Sequence, residues 1–239
     1  MNLILTMAGG YQRFLDEKIN VPKYLLPWSD GTILGEIISQ FSNNYCWKSV
    51  IGVMASSEHR WQPITTSIIN RANAKSVQVY GVKTDSQIST ARIALSKHFS
   101  AHSEKVVFAN IDTILLERDW QYICDTLDEC DGYIDVFQSG SPNYSYVLAD
   151  NGIVSDIFEK NIVSDHASSG LYAFANSIVL NTHLEMNPSF QYFSEAISAS
   201  IKSGKTIKYG VLHKESDTLV LGTPLEYFEN LVKHGSNLK

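Results

Sequence analysis

The chain has 239 residues, of which 44% are hydrophobic and 18% charged, and its net charge is −6 at neutral pH. This length suffices for one α/β domain with a sizeable core, and the acidic balance argues against bulk nucleic-acid binding, which needs a basic surface. Because the N-terminal residues lack the basic segment and longer apolar run of a signal peptide, and no apolar run reaches ~20 residues, we expect neither a signal peptide nor a membrane span. Its three cysteines match no metal-binding spacing, so we expect free thiols and a cytoplasmic location: Cys46, Cys124 and Cys130.

Strands and helices are predicted to alternate through the first half of the chain. Apolar, β-rich runs predict strands over residues 3–7, 49–54, 76–82 and 105–109. Helical periodicity predicts helices over residues 33–41 and 90–99. This order is typical of parallel strands that are joined by crossover helices.

From about residue 131 onward, the predicted secondary structure has a different pattern. Shorter strands are predicted over residues 132–137, 145–148 and 170–174, with a turn at Asp150-Asn151-Gly152. Helices are predicted over residues 190–202 and 224–234, with Gly235 as a stop signal. No linker separates the halves, so we expect one α/β domain whose first half is Rossmann-like and whose second half adds mixed strands.

Two glycines follow the first predicted strand directly, in Met-Ala-Gly-Gly-Tyr-Gln-Arg (residues 7–13). In parallel α/β sheets, ligands bind beyond the carboxyl ends of the strands, and glycines there let backbone N–H groups approach phosphate oxygens. Alone, this pattern is equally typical of a tight strand-to-helix turn. Arg13, and Lys23 held behind Pro22, add cations that suit a phosphate, which favours the phosphate-binding interpretation.

Carboxylates occur at two further candidate positions. Asp112 follows the predicted strand that ends at Ala109. It is a candidate Mg²⁺ ligand, with a turn residue or a helix N-cap as the alternatives. Glu159 and Lys160 are adjacent; they belong either to a binding site or to an ordinary solvated pair.

Five blocks of the sequence, in order, resemble the sugar-phosphate nucleotidyltransferases. They are MAGGYQRF…PKYLLPW…GTILGEII, FANIDTIL, SYVLADNGIVSDIFEK, HASSGLYAF and VLGTPLEYF. The nearest resemblance is to enzymes of capsule and surface-polysaccharide synthesis. It implies a single domain over residues 1–239, Rossmann-like and glycosyltransferase-A-like, with a mixed, mostly parallel sheet flanked by helices. Residues 1–130 would form the nucleotide-binding half, and residues 131–239 the acceptor-binding half.

The resemblance also implies a reaction, namely Mg²⁺-dependent transfer of an NMP from an NTP to a sugar phosphate or similar metabolite, with release of pyrophosphate. Its partners would be those two small molecules, with no nucleic acid and no membrane; a homo-oligomer stays open. By the same resemblance, Arg13 and Lys23 are catalytic and Asp112 binds the metal. The nucleotide would contact Ala8, Gly9, Gly10, Tyr11 and Gln87. The acceptor would contact Glu159, Lys160 and Gly170, with Ser145 and His166 as further candidates for which packing is the alternative.

Two positions depart from the family pattern. Tyr11 stands where many relatives have a second glycine, and Val220 stands where many have a second metal-binding aspartate. A nucleotide- or nucleotide-sugar-binding regulatory protein with weak or no turnover is therefore the alternative. A glycosyltransferase ranks lower, because Asn110-Ile111-Asp112 lacks the Asp-x-Asp motif typical of those enzymes.

Overall fold

A computed structural model of the protein describes residues 1–235. The strands of these residues are β1 (Asn2–Met7), β2 (Pro27–Trp28), β3 (Gly31–Thr32), β4 (Ser49–Ala55), β5 (Val77–Val82), β6 (Val106–Asn110), β7 (Thr113–Leu115), β8 (Gly132–Gln138), β9 (Ser145–Asp150), β10 (Ile153–Glu159), β11 (His166–Phe174), β12 (Ile207–Lys208), β13 (Leu212–His213) and β14 (Thr218–Val220). The helices are α1 (Gln12–Asp16), α2 (Ile33–Ser42), α3 (Gln62–Ile69), α4 (Gln87–His98), α5 (Trp120–Thr126), α6 (Ser177–Met186), α7 (Phe193–Lys202) and α8 (Pro224–Gly235).

Ten of the described strands form one mixed, mostly parallel sheet. Strands β5, β4, β1 and β6 pair in this order and are parallel. Strand β11 then adds to β6 in the antiparallel sense and pairs with both β8 and β9. Strands β12 and β13 lie parallel to β8, while β10 forms a hairpin with β9. The predicted α/β fold with a mixed, mostly parallel sheet flanked by helices is confirmed.

The sheet separates two hydrophobic cores, because successive side chains of a strand point to opposite faces. Leu3 and Leu5 of β1 lie in one core with residues of α2, α5 and α8, whereas Ile4 lies in the other with residues of α4, α6 and α7. All three side chains are fully buried. Both faces of the central strands are thus covered, which explains why these strands read as continuous apolar runs.

Two helices begin at positions other than those predicted. Helix α4 begins at Gln87 instead of residue 90, because the Ser86 side chain caps it by accepting from the Ser89 N–H at 3.1 Å. Helix α7 begins at Phe193 instead of residue 190, because the Glu195 carboxylate accepts from the Tyr192 N–H at 3.0 Å and fixes the start of the helix.

Two further local predictions, the hairpin turn and the last helix, are confirmed, whereas β9 and β11 are longer than the strands predicted over 145–148 and 170–174. Asn151 and Gly152 connect β9 to β10 with φ of 48° and 82°, as a two-residue hairpin turn requires. Helix α8 covers the predicted 224–234 and reaches Gly235, at the end of the described part of the chain. In residues 1–235, none of the helices combines the length and the apolar character that a membrane span needs.

Candidate active site

A cleft of about 810 Å³ opens at the carboxyl ends of β1 and β6. Its walls come from the loop after β1, the turn before α4, the ends of β6 and β10, and the start of α7. Of the predicted site residues, all but the further candidate His166 line this one cleft: Ala8, Gly9, Gly10, Tyr11, Arg13, Lys23, Gln87, Asp112, Ser145, Glu159, Lys160 and Gly170.

The glycine loop after β1 leaves open space on its cleft side. A Cβ atom on Gly9 or Gly10 would meet no protein atom within 4 Å, and neither residue has a positive φ. Tyr11 has a φ of −123°, so its position does not require glycine. Its half-buried ring packs against the core. Burial, and then the charge of Glu58, raise the pKa of the Tyr11 hydroxyl.

Lys23 and Asp112 form an ion pair in the cleft, although 89 residues separate them in the sequence. The Lys23 Nζ lies 2.5 Å from Asp112 Oδ2, and the two side chains are only 14% and 22% exposed. The segment after Asp112 is strand β7, so the helix N-cap interpretation of Asp112 is wrong. Its carbonyl oxygen instead accepts from the Leu221 N–H at 2.7 Å, which ties Asp112 to the end of β14.

Behind this ion pair lies a buried carboxylate, that of Glu58. Lys23 begins a one-turn 3₁₀ helix in which Tyr24 is 1% exposed. The Tyr24 hydroxyl donates to Glu58 Oε2 at 2.7 Å. Burial raises the pKa of Glu58, while the Tyr24 hydrogen bond and the Lys23 charge act against that rise. The turn that presents Lys23 is therefore fixed from below by a hydrogen bond to a buried acid.

Asn110, at the end of β6, organises the floor of the cleft. Its Oδ1 accepts from Gln87 Nε2 at 2.5 Å and from Thr6 Oγ1 at 3.3 Å. Gly170 has a φ of 85°, and a Cβ atom there would lie 2.4 Å from Asn110 Nδ2. Position 170 thus requires glycine for two reasons, the positive φ and the closeness of the Asn110 side chain. The sequence alone showed neither.

On the opposite wall, the Glu159 carboxylate is held by two hydroxyl groups. Ser145 Oγ donates to Glu159 Oε2 at 2.5 Å, and Ser194 Oγ, from α7, donates to the same oxygen at 2.8 Å. Lys160 is exposed, and its ammonium has no ion-pair partner among residues 1–235. Glu159 and Lys160 are therefore not paired with each other, unlike the solvated pair considered from the sequence.

The structure also changes the list of candidate residues. His166 pairs with Asp165 at 2.7 Å and stacks edge-on against Tyr209, and it is not among the residues that line the cleft. Glu226 lines the cleft and was missed. Its only sequence signal is the spacing Thr223-x-x-Glu226, which is typical of a helix capping box.

No family model matches this sequence, and no curated protein sequence matches it. Solved structures do match. A nucleoside-diphosphate-sugar pyrophosphorylase from Vibrio cholerae is similar over 96% of this chain and 99% of its own, with 21% identity and a TM-score of 0.76. The chain has a nucleotidyltransferase-like fold. An inositol-1-phosphate CTP transferase from T. maritima shares this fold at 14% identity, over 97% of this chain and 94% of its own, with a TM-score of 0.72.

A UTP-bound UGPase from Acinetobacter baumannii shares the nucleotidyltransferase-like fold as well. It is 15% identical over 98% of this chain and 93% of its own, with a TM-score of 0.73. At these identities the likeness concerns the fold alone, because one fold can carry different chemistries.

Proposed function

We propose that the protein is a Mg²⁺-dependent nucleotidyltransferase that transfers an NMP from an NTP to a sugar phosphate or similar phosphorylated metabolite and releases pyrophosphate. The observation that carries this proposal is the pair of charged corners in one cleft. The nucleotide corner consists of Gly9, Gly10, Arg13, Lys23 and Asp112, and the acceptor corner consists of Ser145, Glu159, Lys160 and Ser194. Each corner offers at least one cation for phosphate and one carboxylate, as expected for two phosphorylated substrates.

In this proposal the nucleotide corner holds the triphosphate. Backbone N–H groups at Gly9 and Gly10 approach the phosphates, Arg13 binds the β- and γ-phosphates, and Lys23 binds the α-phosphate. An acceptor phosphate oxygen attacks the α-phosphorus in line. The bond from the α-phosphorus to the bridging oxygen breaks, and its electron pair leaves with pyrophosphate. The residues act chiefly by positioning and charge neutralisation.

The acceptor corner binds the attacking molecule. Lys160 binds its phosphate, and Glu159 accepts hydrogen bonds from its hydroxyl groups. Glu159 Oε2 is already held by Ser145 and Ser194. Its orientation is therefore fixed before the acceptor arrives, which is the arrangement that favours selective binding.

Asp112 is suited to a Mg²⁺ ion. A cation, the Lys23 ammonium, already lies on Asp112 Oδ2, and carboxylate oxygens are the ligands that Mg²⁺ prefers. When bound, the ion would neutralise charge on the phosphates. Asp112 would then hold the ion, and the Lys23 ammonium, which now pairs with Asp112, would be available to the α-phosphate.

Two structural neighbours support this class of reaction: an inositol-1-phosphate CTP transferase and a UTP-bound UGPase. The first of them is named for a phosphorylated polyol. A role in surface-polysaccharide synthesis, a cytoplasmic location and the division into halves at residues 130 and 131 belong to the same proposal. The sequence resemblance supports the first and the third point, and the three cysteines without a metal-binding spacing support the location.

The test is pyrophosphate release from the protein with Mg²⁺, each of the common NTPs and a panel of phosphorylated sugars and polyols. Preferential NTP binding is measured beforehand by thermal shift. We expect stabilisation by one NTP, and release of pyrophosphate with one acceptor. Folded protein that no NTP stabilises would contradict the proposal.

A second candidate is a nucleotide-binding protein without turnover. Val220, which cannot bind a metal, and the Lys23–Asp112 ion pair, which must open for the reaction, are the observations in its favour. NTP binding without pyrophosphate from any acceptor would support this candidate against the first.

A further inference from the structure

The end of β14 lies beside Asp112 but brings no carboxylate to it. Val220 pairs with Thr113 across the β7–β14 ladder, and the following Leu221 N–H donates to the Asp112 carbonyl. The Val220 side chain packs with Tyr144 against a small apolar cluster. No residue of β14 itself therefore adds a ligand to the site of Asp112.

Helix α8 brings a carboxylate to the same place. It begins at Pro224, two residues after Gly222, and Glu226 is in its first turn. The Glu226 side chain folds back toward the cleft, where Oε2 accepts from Thr223 Oγ1 at 2.9 Å. Burial raises the pKa of the nearby Tyr144 hydroxyl, and the charges of Glu226 and Asp112 add to this rise. Glu226, Asp112 and Tyr144 all line the cleft.

Gly222 leaves a gap between these two carboxylates. A Cβ atom on Gly222 would lie 3.3 Å from Asp112 Oδ2 and 3.5 Å from Glu226 Oε2. The φ of Gly222 is not positive, so backbone conformation does not require glycine there. The gap opens toward Asp112 Oδ2, the oxygen that already binds the Lys23 ammonium. Two carboxylate oxygens and the Lys23 ammonium thus meet beside Gly222.

We infer that Glu226 is the second cation-binding carboxylate of the cleft and takes the metal-binding role that Val220 cannot fill. This inference rests on the proposed function, because the cation is the Mg²⁺ ion of that reaction. Among the described residues, no three Asp, Glu, His or Cys side chains are placed to hold a metal together. Asp112 and Glu226 therefore bind the ion jointly with phosphate oxygens of the nucleotide, and the complete site forms only when the nucleotide is bound.

A helix-capping role for Glu226 is the ordinary alternative. Thr223 and Glu226 have the spacing of a capping box, and the Glu226 N–H donates to Thr223 Oγ1 at 3.2 Å. Glu226→Gln distinguishes the two roles, because glutamine keeps an oxygen that accepts from Thr223 but loses the negative charge. A capping role thus predicts little change in this variant, whereas a cation-binding role predicts a large one.

The experiment measures Mn²⁺ binding by electron paramagnetic resonance, with the protein alone and with the α,β-methylene analogues of UTP and CTP. We expect Glu226→Gln to bind Mn²⁺ roughly tenfold more weakly in the analogue complex that binds best. Glu229→Gln, a change on the exposed side of α8, is the matched control and should bind as the wild type does. Glu226→Gln/Val220→Asp should recover binding, because it restores a carboxylate at the end of β14.

Gly222→Ala provides a second variant that alters no charged group. Its methyl group would enter the gap between the carboxylates, so we expect weaker Mn²⁺ binding at an unchanged melting temperature. Equal Mn²⁺ affinity in the wild type and in Glu226→Gln, with weak binding in Asp112→Asn, would overturn the inference and leave the proposed function standing. A wild-type analogue complex that binds no Mn²⁺ would contradict both.

Discussion

The two charged corners of the cleft use the same residue types in opposite ways. In the nucleotide corner, Lys23 and Asp112 are far apart in sequence and bonded to each other at 2.5 Å. In the acceptor corner, Glu159 and Lys160 are adjacent in sequence and not bonded to each other; two serine hydroxyls hold the carboxylate instead. In the proposed function, substrate has to open the ion pair of the nucleotide corner, whereas the carboxylate of the acceptor corner is already oriented for binding.

This difference shows how an ion pair and neutral hydrogen bonds prepare a site differently. An ammonium on a carboxylate neutralises both charges, and the pair must be separated before either group binds a ligand. Neutral hydroxyl donors orient a carboxylate and leave its charge available. We therefore expect changes in the nucleotide corner to affect turnover most, and changes in the acceptor corner to affect mainly the KM of the acceptor.

The largest effect is expected for Lys23→Ala. Removing the cation at the α-phosphate should lower kcat by about 10²- to 10³-fold, as loss of one transition-state contact does. Lys48→Ala is the matched control, because Lys48 forms an ion pair of the same 2.5 Å length with Glu104 but is 61% exposed. Steady-state kinetics and urea unfolding are measured together. A loss of activity that parallels an equal loss of folded protein would remove Lys23 from the reaction.

Lys160→Ala should affect binding more than turnover. Loss of a charge-assisted contact to the acceptor phosphate corresponds to roughly a tenfold to hundredfold rise in acceptor KM. The NTP-induced thermal shift should stay at the wild-type value. Lys202→Ala, at an exposed lysine on α7, serves as the control. A reduced NTP shift with an unchanged acceptor KM would place Lys160 in the nucleotide corner instead.

Ser194→Ala is expected to have a smaller effect on the same corner. It removes one of two donors to Glu159 Oε2, a loss of about 1 kcal/mol or roughly a fivefold rise in acceptor KM. Ser198→Ala lies on the same helix without contact to Glu159 and should leave that KM unchanged. If Ser194→Ala also leaves it unchanged, Glu159 does not depend on this hydroxyl for its orientation.

The smallest effect is expected behind the nucleotide corner, in the pH dependence of folding. Burial raises the pKa of Glu58 above 4.5 in the folded state. The folded protein therefore binds this proton more tightly than the unfolded chain, so the free energy of unfolding falls as pH rises from 4.5 through the raised pKa. Glu58→Gln should remove this fall, as measured by urea unfolding at several pH values.

Tyr24→Phe should have the opposite effect on the pH dependence of stability. The Tyr24 hydrogen bond lowers the pKa of Glu58, so its removal should raise that pKa further. The free energy of unfolding should then fall more with rising pH than in the wild type. Parallel curves for wild type, Glu58→Gln and Tyr24→Phe would contradict a buried, titrating Glu58.

Sequence patterns predicted what depends on neighbours along the chain. The apolar run of β1, the alternation of strands and helices, and the hairpin turn at Asn151-Gly152 follow from local periodicity and backbone preference, and the structure confirms them. The closeness of the glycine loop to Asp112 follows too, because β1 and β6 are parallel and their carboxyl ends meet at one edge of the sheet. Glu159 and Gly170 lie on antiparallel strands, to which this reasoning does not apply.

The tertiary structure decided which side chains face each other. Asn110 requires glycine at position 170, Ser194 holds Glu159, and Glu226 lies near Asp112. These contacts join residues that are 35 to 114 positions apart in the sequence. The position of the Glu226 side chain also depends on the direction in which helix α8 begins. His166 pairs with Asp165 and is not among the residues that line the cleft. A one-dimensional pattern records residue type and spacing. The distance between two side chains is set only when the sheet and its helices pack.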